Sequence, residues 1–600
     1  MIQYAYRYLP EGCARYEGAV HDNAAFVLQK QLLDKPLWDK FVYVFTERPD
    51  AADLGWRGEY FGKMMRGACL TYRYLPDETL YGVLYETVRG ILDAQDANGR
   101  ITTYPQEQEF CGWDMWTRKY VLVGCLYFYA ICRDEAFKGR ILTAMKGQVD
   151  YLTDKLGEGK LSVLDTSLWW GGLNSASVLE PVVELYKLTG EEKYLAFAKY
   201  VLESGGCRDG NLLELAEAGE RMPYEYPVVK AYEMMSYFEG ALAYYEVTGE
   251  ERYLRIVEKF ADAVRRTDIT IIGCAGCTHE LFDHSAVRQT EETEPLDIMQ
   301  ETCVTVTWMR LLDLLLRLTG KVDYAEEIEK SALNALYGSL NTEGLPQLSK
   351  EENIRVPGVP FDSYSPLTFK ARGIGIGGYK KFSTGGYYGC CACIGAAGTA
   401  LFPLTAVMEQ DSGIVLNQYN NGTASATTPD GNPLTLRVNG YFSDEGHAAV
   451  TLSLTTPETF TLRLRIPAWS HEPTVTVNGE TTAAEKGYLD LTRAWKDGDT
   501  VTVDCHPEVE THTLNGKIAF TFGALALARD EQKEEGSIES PVTPVLHNGR
   551  LIVDQLDAKE GETVRFTVKT EEGDLLLTDY ASCGKRWMEE RNRISVWLNT

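Results

Sequence analysis

Glu184-Leu-Tyr-Lys-Leu-Thr-Gly190, followed at once by Glu191-Glu-Lys-Tyr-Leu195, recurs along this chain. Tyr244-Tyr-Glu-Val-Thr-Gly249 runs into Glu250-Glu-Arg-Tyr-Leu254, and Leu315-Leu-Arg-Leu-Thr-Gly320 runs into Lys321-Val-Asp-Tyr324. A degenerate copy, Tyr127-Phe-Tyr-Ala-Ile-Cys132, precedes Arg133-Asp-Glu-Ala-Phe137. Each copy reads as a helix closed by a C-terminal glycine, a tight turn, and a second helix opening on acidic residues. The Thr-Gly pairs fall 59 and 71 residues apart, the spacing of helical hairpins with connecting loops. Windows such as 182–202 and 304–340 keep apolar residues at helical period. Helical hairpins over some 400 residues make either an open solenoid or a closed double ring, an (α/α) toroid. The irregular, glycine-rich loops favour the ring, because they suit the rim of a central cleft.

Near residue 405 the period changes. Thr461-Leu-Arg-Leu-Arg-Ile466, Thr474-Val-Thr-Val477 and Thr500-Val-Thr-Val-Asp504 alternate, separated by Asn478-Gly479 and Asp497-Gly498 turns. Lys517-Ile-Ala-Phe-Thr-Phe522 and Thr563-Val-Arg-Phe-Thr-Val568 continue the pattern. Short strands with frequent turns predict one or two antiparallel β-sandwiches. The expected layout is a toroid over 1–405, a β-sandwich over 406–510, and a β-rich C-terminal unit over 511–600.

The chain has 600 residues, too many for one compact core, and its 44% hydrophobic and 24% charged content is that of an ordinary globular protein. Its 59 Lys and Arg against 87 Asp and Glu give a formal charge of −28. Such a chain is repelled by nucleic-acid phosphates and by anionic lipid, so neither is an expected partner. The 35 tyrosines and 11 tryptophans suit carbohydrate, whose apolar faces stack on rings. No basic segment leads an apolar one at the start, and no run reaches the roughly 18 apolar residues of a membrane span. The expectation is a cytoplasmic protein with its 14 cysteines reduced. A homodimer is compatible with the sequence.

Cysteine placement is the sharpest chemical signal. Cys274-Ala-Gly-Cys277 is one C-x-x-C, Cys390-Cys391-Ala-Cys393 is a second cluster after a glycine-rich loop, and Gln300-Glu301-Thr-Cys303 stands just before a long helix. Thiolates with one carboxylate suit Zn²⁺. Spacing alone leaves two options open: a closed structural knot of Cys274, Cys277, Cys390 and Cys393, or a site built from Glu301, Cys303, Cys390 and Cys391. In the second, Glu301 and Cys303 reach one ion only at a helix entrance, and neighbouring Cys390 and Cys391 need irregular backbone.

These residues resemble the β-L-arabinofuranosidases of glycoside hydrolase family 127. The resemblance runs through Gly58-Glu-Tyr-Phe-Gly-Lys63, Gln95-Asp-Ala-Asn-Gly-Arg100, Trp170-Gly-Gly-Leu-Asn174, Gly276-Cys-Thr-His-Glu-Leu-Phe282, Glu301-Thr-Cys303, Ser365-Pro-Leu367, Cys390-Cys391 and Val596-Trp-Leu598. It implies an (α/α)6 toroid followed by β-sandwiches, Zn²⁺ held by Glu301, Cys303, Cys390 and Cys391, and Cys390 doubling as nucleophile. It also implies Glu280 as general acid/base and a retaining exo-glycosidase acting on an oligosaccharide or small glycoside. Where the family uses histidines in its sugar pocket, the early helix here offers Trp113-Asp-Met-Trp-Thr-Arg-Lys-Tyr120. Trp113, Tyr120, His279 and Tyr364 are therefore the candidate sugar contacts, with Trp116, Trp169 and Trp170 as further candidate platforms. Two other readings stay open: a carboxylate-dependent glycosidase or lyase on the same toroid, and a non-catalytic carbohydrate-binding protein with a structural zinc knot.

Overall fold

In the computed structural model of the protein, which describes residues 2–278, 280–291, 299–350, 353–534, 536–587 and 590–600, every Thr-Gly copy closes a helix. Helices Leu179–Thr189, Ala231–Thr248 and Thr302–Thr319 each end on the threonine, and Gly190, Gly249 and Gly320 follow at φ 65, 71 and 68°. That left-handed geometry is what glycine supplies at a helix end. The partner helices start within two residues, at Glu192–Glu203, Glu251–Thr267 and Val322–Ser331. The degenerate copy works without glycine. Helix Asp114–Ile131 stops at an extended Cys132, and the Asp134 carboxylate caps Glu135–Lys155 by accepting from the N–H groups of Ala136 and Phe137.

The inner layer consists of α1 (Gly58–Tyr74), α2 (Asp114–Ile131), α3 (Leu179–Thr189), α4 (Ala231–Thr248), α5 (Thr302–Thr319) and α6 (Cys390–Ala406). Each packs on the next and α6 packs back on α1, so the array is a closed ring, not a solenoid. Close approach requires small residues at the contacts. A Cβ on Gly62 of α1 would lie 1.9 Å from the Tyr120 carbonyl oxygen of α2, and one on Gly67 would lie 2.8 Å from the Ala397 nitrogen of α6. The inner helices are buried almost all round, as α5 is from Thr302 to Asp313. The outer helices carry one apolar stripe, such as Ile256, Val257, Phe260, Ala261 and Val264 of Glu251–Thr267.

Strands take over at Val407. A five-stranded sheet runs in the order Arg7–Tyr8, Val407–Gln410, Gly413–Leu416, Glu458–Ile466, Gly487–Trp495. A seven-stranded sheet runs Glu480–Ala483, Thr474–Val477, Thr500–Asp504, His447–Leu454, Pro433–Tyr441, Gly422–Thr427, Ala14–Tyr16. Pairing in both is antiparallel except between Gly413–Leu416 and Glu458–Ile466, which run parallel. Both sheets thus recruit a strand from the start of the chain, where the sequence pattern showed none. The tail supplies eight strands of a nine-stranded sheet, with its own apolar cluster around Phe520, Phe566 and Val568. It is fastened to the ring: Arg593–Ser595 pairs with Lys370–Ala371, and the Trp597 indole N–H donates to Gln289 Oε1 at 3.1 Å. No helix among the described residues is long and apolar enough to cross a membrane.

Candidate active site and metal centre

The N-terminal ends of α1, α2, α4, α5 and α6 converge on a pocket of about 420 Å³ at one mouth of the ring. Two short strand pairings set its floor. Met299–Glu301 pairs with Tyr364–Pro366, placing Glu301 beside Tyr364. The hairpin Tyr379–Lys381 with Tyr387–Gly389 delivers the chain to Cys390, whose N–H donates to the Gly378 carbonyl at 3.3 Å. A Cβ on Gly378 (φ 90°) would sit 3.5 Å from Cys390 Sγ, so a bare backbone keeps the thiol accessible.

Glu301, Cys303, Cys390 and Cys391 each bring a ligand atom, all within 4.8 Å of one another, the one such convergence of cysteine, histidine and acid among the described residues. Glu301 is the extended residue immediately before α5 and Cys303 lies in that helix's first turn, the entrance geometry the spacing demanded. Cys390 and Cys391, in contrast, need no irregular backbone. They open α6, and their sulfurs still lie 4.0 Å apart. Cys391 Sγ donates to Glu301 Oε1 at 3.4 Å, while Glu301 Oε2 is buried with no hydrogen-bond partner among the described residues. Three soft sulfurs and an orphaned buried carboxylate oxygen are a donor set that fits a metal ion. The four-cysteine knot does not assemble. Cys274 Sγ donates to the Ala275 and Glu301 carbonyls, Cys277 accepts from Gln300, and Cys393 is buried in α6. None of the 14 cysteines is in a disulfide.

Of the four grouped residues, Cys390 and Glu301 line the pocket, and Cys390 alone is more than marginally exposed. Burial pushes the Cys303 and Cys391 thiols up. Cys390 is held well below the usual thiol range, first by hydrogen bonds from Cys303 and Cys391 and then, against its own burial, by the charges of Lys63 and Lys230.

Glu280 lines the same pocket. Its backbone is left-handed (φ 63°), and it is pinned there because its carbonyl accepts from Ala231 N–H at 3.1 Å and Lys230 bridges Leu281. Tyr364 donates to its Oε1 at 2.7 Å, and Lys230 pairs with Oε2. Trp170, also on the lining, has φ 53°. Two non-glycine residues in this strained region on one wall are what a shaped functional site shows.

Trp113 and Tyr364 line the pocket as expected from the sequence. Tyr120 does not: fully buried one helical turn beyond Trp116 on α2, it bonds through its hydroxyl to Tyr232 and lies under the Lys63 ammonium at 5.5 Å. His279 lies outside the described residues. Sequence reading missed Glu59 and Lys63, which form a buried pair at 3.1 Å on α1, with Lys63 Nζ 3.8 Å from Cys303 Sγ. Burial pushes the Glu59 carboxyl up to about 7. Also missed were Trp56, Lys230, Tyr232 and Glu233. No signal singled out Glu59 and Lys63: an i, i+4 charge pair reads in sequence like one on a solvated face, and the same helix also carries Arg66 and Arg73.

Comparison with known proteins agrees with this fold. The family profile described as "Beta-L-arabinofuranosidase, GH127 catalytic domain" matches residues 20–346, and "Beta-L-arabinofuranosidase, GH127 middle domain" matches 413–506. A non-reducing end β-L-arabinofuranosidase of Bifidobacterium longum subsp. longum is 21% identical over 526 residues, 78% of this chain and 73% of that protein. The crystal structure of a family 127 β-L-arabinofuranosidase from Geobacillus stearothermophilus T6 superposes with a TM-score of 0.75 at 16% identity, covering 98% of this chain and 99% of that one. A second β-arabinofuranosidase structure of the family also gives 0.75, at 17% identity, covering 99% and 98%. The protein is thus a glycoside hydrolase, and its substrate is a carbohydrate. It belongs to the β-L-arabinofuranosidase family, glycoside hydrolase family 127.

Proposed function

We propose that the chain is a retaining exo-glycosidase that releases a terminal sugar of the β-L-arabinofuranose type from an oligosaccharide or small glycoside. The observation that carries this is the asymmetry of the sulfur cluster: of its three thiols, only Cys390 lines the sugar-sized pocket, with Glu280 on the same lining. Zn²⁺ is the ion this donor set suits, and when bound it supplies the charge that keeps the coordinated sulfurs ionised.

The remaining steps belong to the chain itself. The Cys390 sulfur attacks the anomeric carbon, the bond from that carbon to the leaving oxygen breaks, and the Glu280 carboxyl protonates that oxygen. Glu280 then takes a proton from water as the water displaces the sulfur, which restores both groups and the starting anomeric configuration. Tyr364, donating to Glu280, fixes the carboxyl rotamer. Trp113, Trp116 and Trp170 offer apolar faces to the sugar and its leaving group.

Cys390→Ser should lower kcat on nitrophenyl β-L-arabinofuranoside by more than about 10³-fold, with unchanged circular dichroism. A serine variant that turns over at the parent rate would end the proposal. The same screen run over furanosides and pyranosides, with metal analysis, fixes the glycone and the ion.

A further inference from the structure

A second cavity, of about 380 Å³, opens at the opposite mouth of the ring, walled by α2 to α5 and roofed by Tyr4 near the start of the chain. We propose that it binds a small neutral polyol, a free monosaccharide being the type. The proposal is independent of the reaction assigned to the other mouth.

The floor supplies the reason. Arg310 extends from α5 and spends its guanidinium on Glu180, on Tyr127 and on Glu239 Oε2, the last at 3.2 Å. Each carboxylate is left with one free oxygen: Glu180 Oε2 and Glu239 Oε1 are buried without a hydrogen-bond partner among the described residues, on side chains 8% and 1% exposed. Both residues line the cavity. An orphaned carboxylate oxygen is costly unless something donates to it.

The charges then narrow the donor. Every cation on the lining is engaged: Arg310 as above, Lys187 with Glu184 and Glu246 at 2.9 and 2.6 Å, and Arg317 with Asp313 at 3.3 Å. An anion finds no free partner there. A cation gains little, because Arg310, Lys119 and Arg66 all act on both floor carboxylates, Glu180 and Glu239, and already offset their charge. What fits is a neutral molecule rich in O–H donors. Tyr4, Tyr127 and Leu126 on the walls can take the apolar face of a sugar ring.

The test uses the full-length Cys390→Ser protein, titrated by calorimetry and equilibrium dialysis with L-arabinose, D-xylose, D-galactose and D-glucose, and separately with putrescine and inorganic phosphate. Ala130→Trp and Leu188→Trp fill the rim of the second cavity from exposed positions that touch nothing in the catalytic pocket. At least one sugar should show a site that either rim variant weakens about tenfold or more, while hydrolysis by the same rim variants in the Cys390 background is unchanged. If the catalytic reading fails, the rim-sensitive site remains as the one sugar site per chain. Rim variants that leave all sugar binding intact would overturn the proposal, as would putrescine or phosphate occupying the site in preference to sugar, or no sugar binding beyond the catalytic pocket.

Discussion

Thr248 does two things with one hydroxyl: it donates to the Tyr244 carbonyl at 2.8 Å and accepts from Glu250 N–H at 3.3 Å, bridging the end of α4 to the start of the next helix. Thr189 and Thr319 make the same pair of bonds, through Leu185 and Glu191 and through Leu315 and Lys321. The Thr-Gly signature is therefore a hinge with two parts, a hydroxyl that ties the turn and a glycine that permits it. At Gly249 a Cβ would meet nothing within 4 Å, so the requirement is the dihedral alone. Gly249→Ala should accordingly cost about 1–2 kcal/mol of ring stability, and Thr248→Val about 1 kcal/mol, both read as midpoint shifts in urea. Equal midpoints for parent and alanine variant would show that the left-handed turn is not strained by a side chain.

Among the helices and strands, what set the site's legibility was the length of the element holding each residue. Glu301-Thr-Cys303 was readable because both ligands sit at one helix entrance, within three residues. Lys230 and Glu59 were not, because a charged residue at a helix start looks the same in sequence whether it faces solvent or a pocket, and only the ring's closure buries them. Tyr120 was misplaced for the related reason that one turn of α2 separates the pocket wall from the packed interior. The two- and three-residue strands near the N-terminus carry too little alternation to read, and their partners lie some 400 residues away. The segment between Ser339 and Gly373 shows how such short pieces are held. Asp362 N–H donates to the Ser339 carbonyl at 2.6 Å and its carboxylate accepts from Gly373 N–H at 2.8 Å, wholly buried. Burial pushes its carboxyl up to about 6 from an ordinary 3.8. A carboxyl raised on folding contributes stability that is complete below pH 4 and lost as pH rises through 6, on the order of 3 kcal/mol. Asp362→Asn keeps an acceptor for Gly373 and removes that loss, so its urea midpoint should fall less than the parent's between pH 4 and 7. Parallel curves would mean that Asp362 is ionised in the folded protein throughout.

Across the whole molecule, the ring is completed late in the chain. Seventy residues separate α5 from α6, the outer helix Val322–Ser331 and then mostly loop and short strands, and α6 must dock on both α5 and α1 before the pocket exists. The four residues that could hold a metal ion straddle this seam, Glu301 and Cys303 at the start of α5 and Cys390 and Cys391 at the start of α6. An ion bound there joins the last helix of the ring to its predecessor, so its binding energy is added to ring closure as well as to chemistry. Without it, the seam crowds three sulfurs against a carboxyl that burial and Glu280 push well above its ordinary range. Removing the ion with a chelator should therefore lower Tm by roughly 5 °C or more and abolish turnover together, with Zn²⁺ restoring both. Cys303→Ser, which removes a ligand that does not line the pocket, should start near the chelated Tm and respond little to chelator. A chelated protein that loses activity but melts at the parent temperature would separate the ion from ring closure and confine it to the chemistry of Cys390.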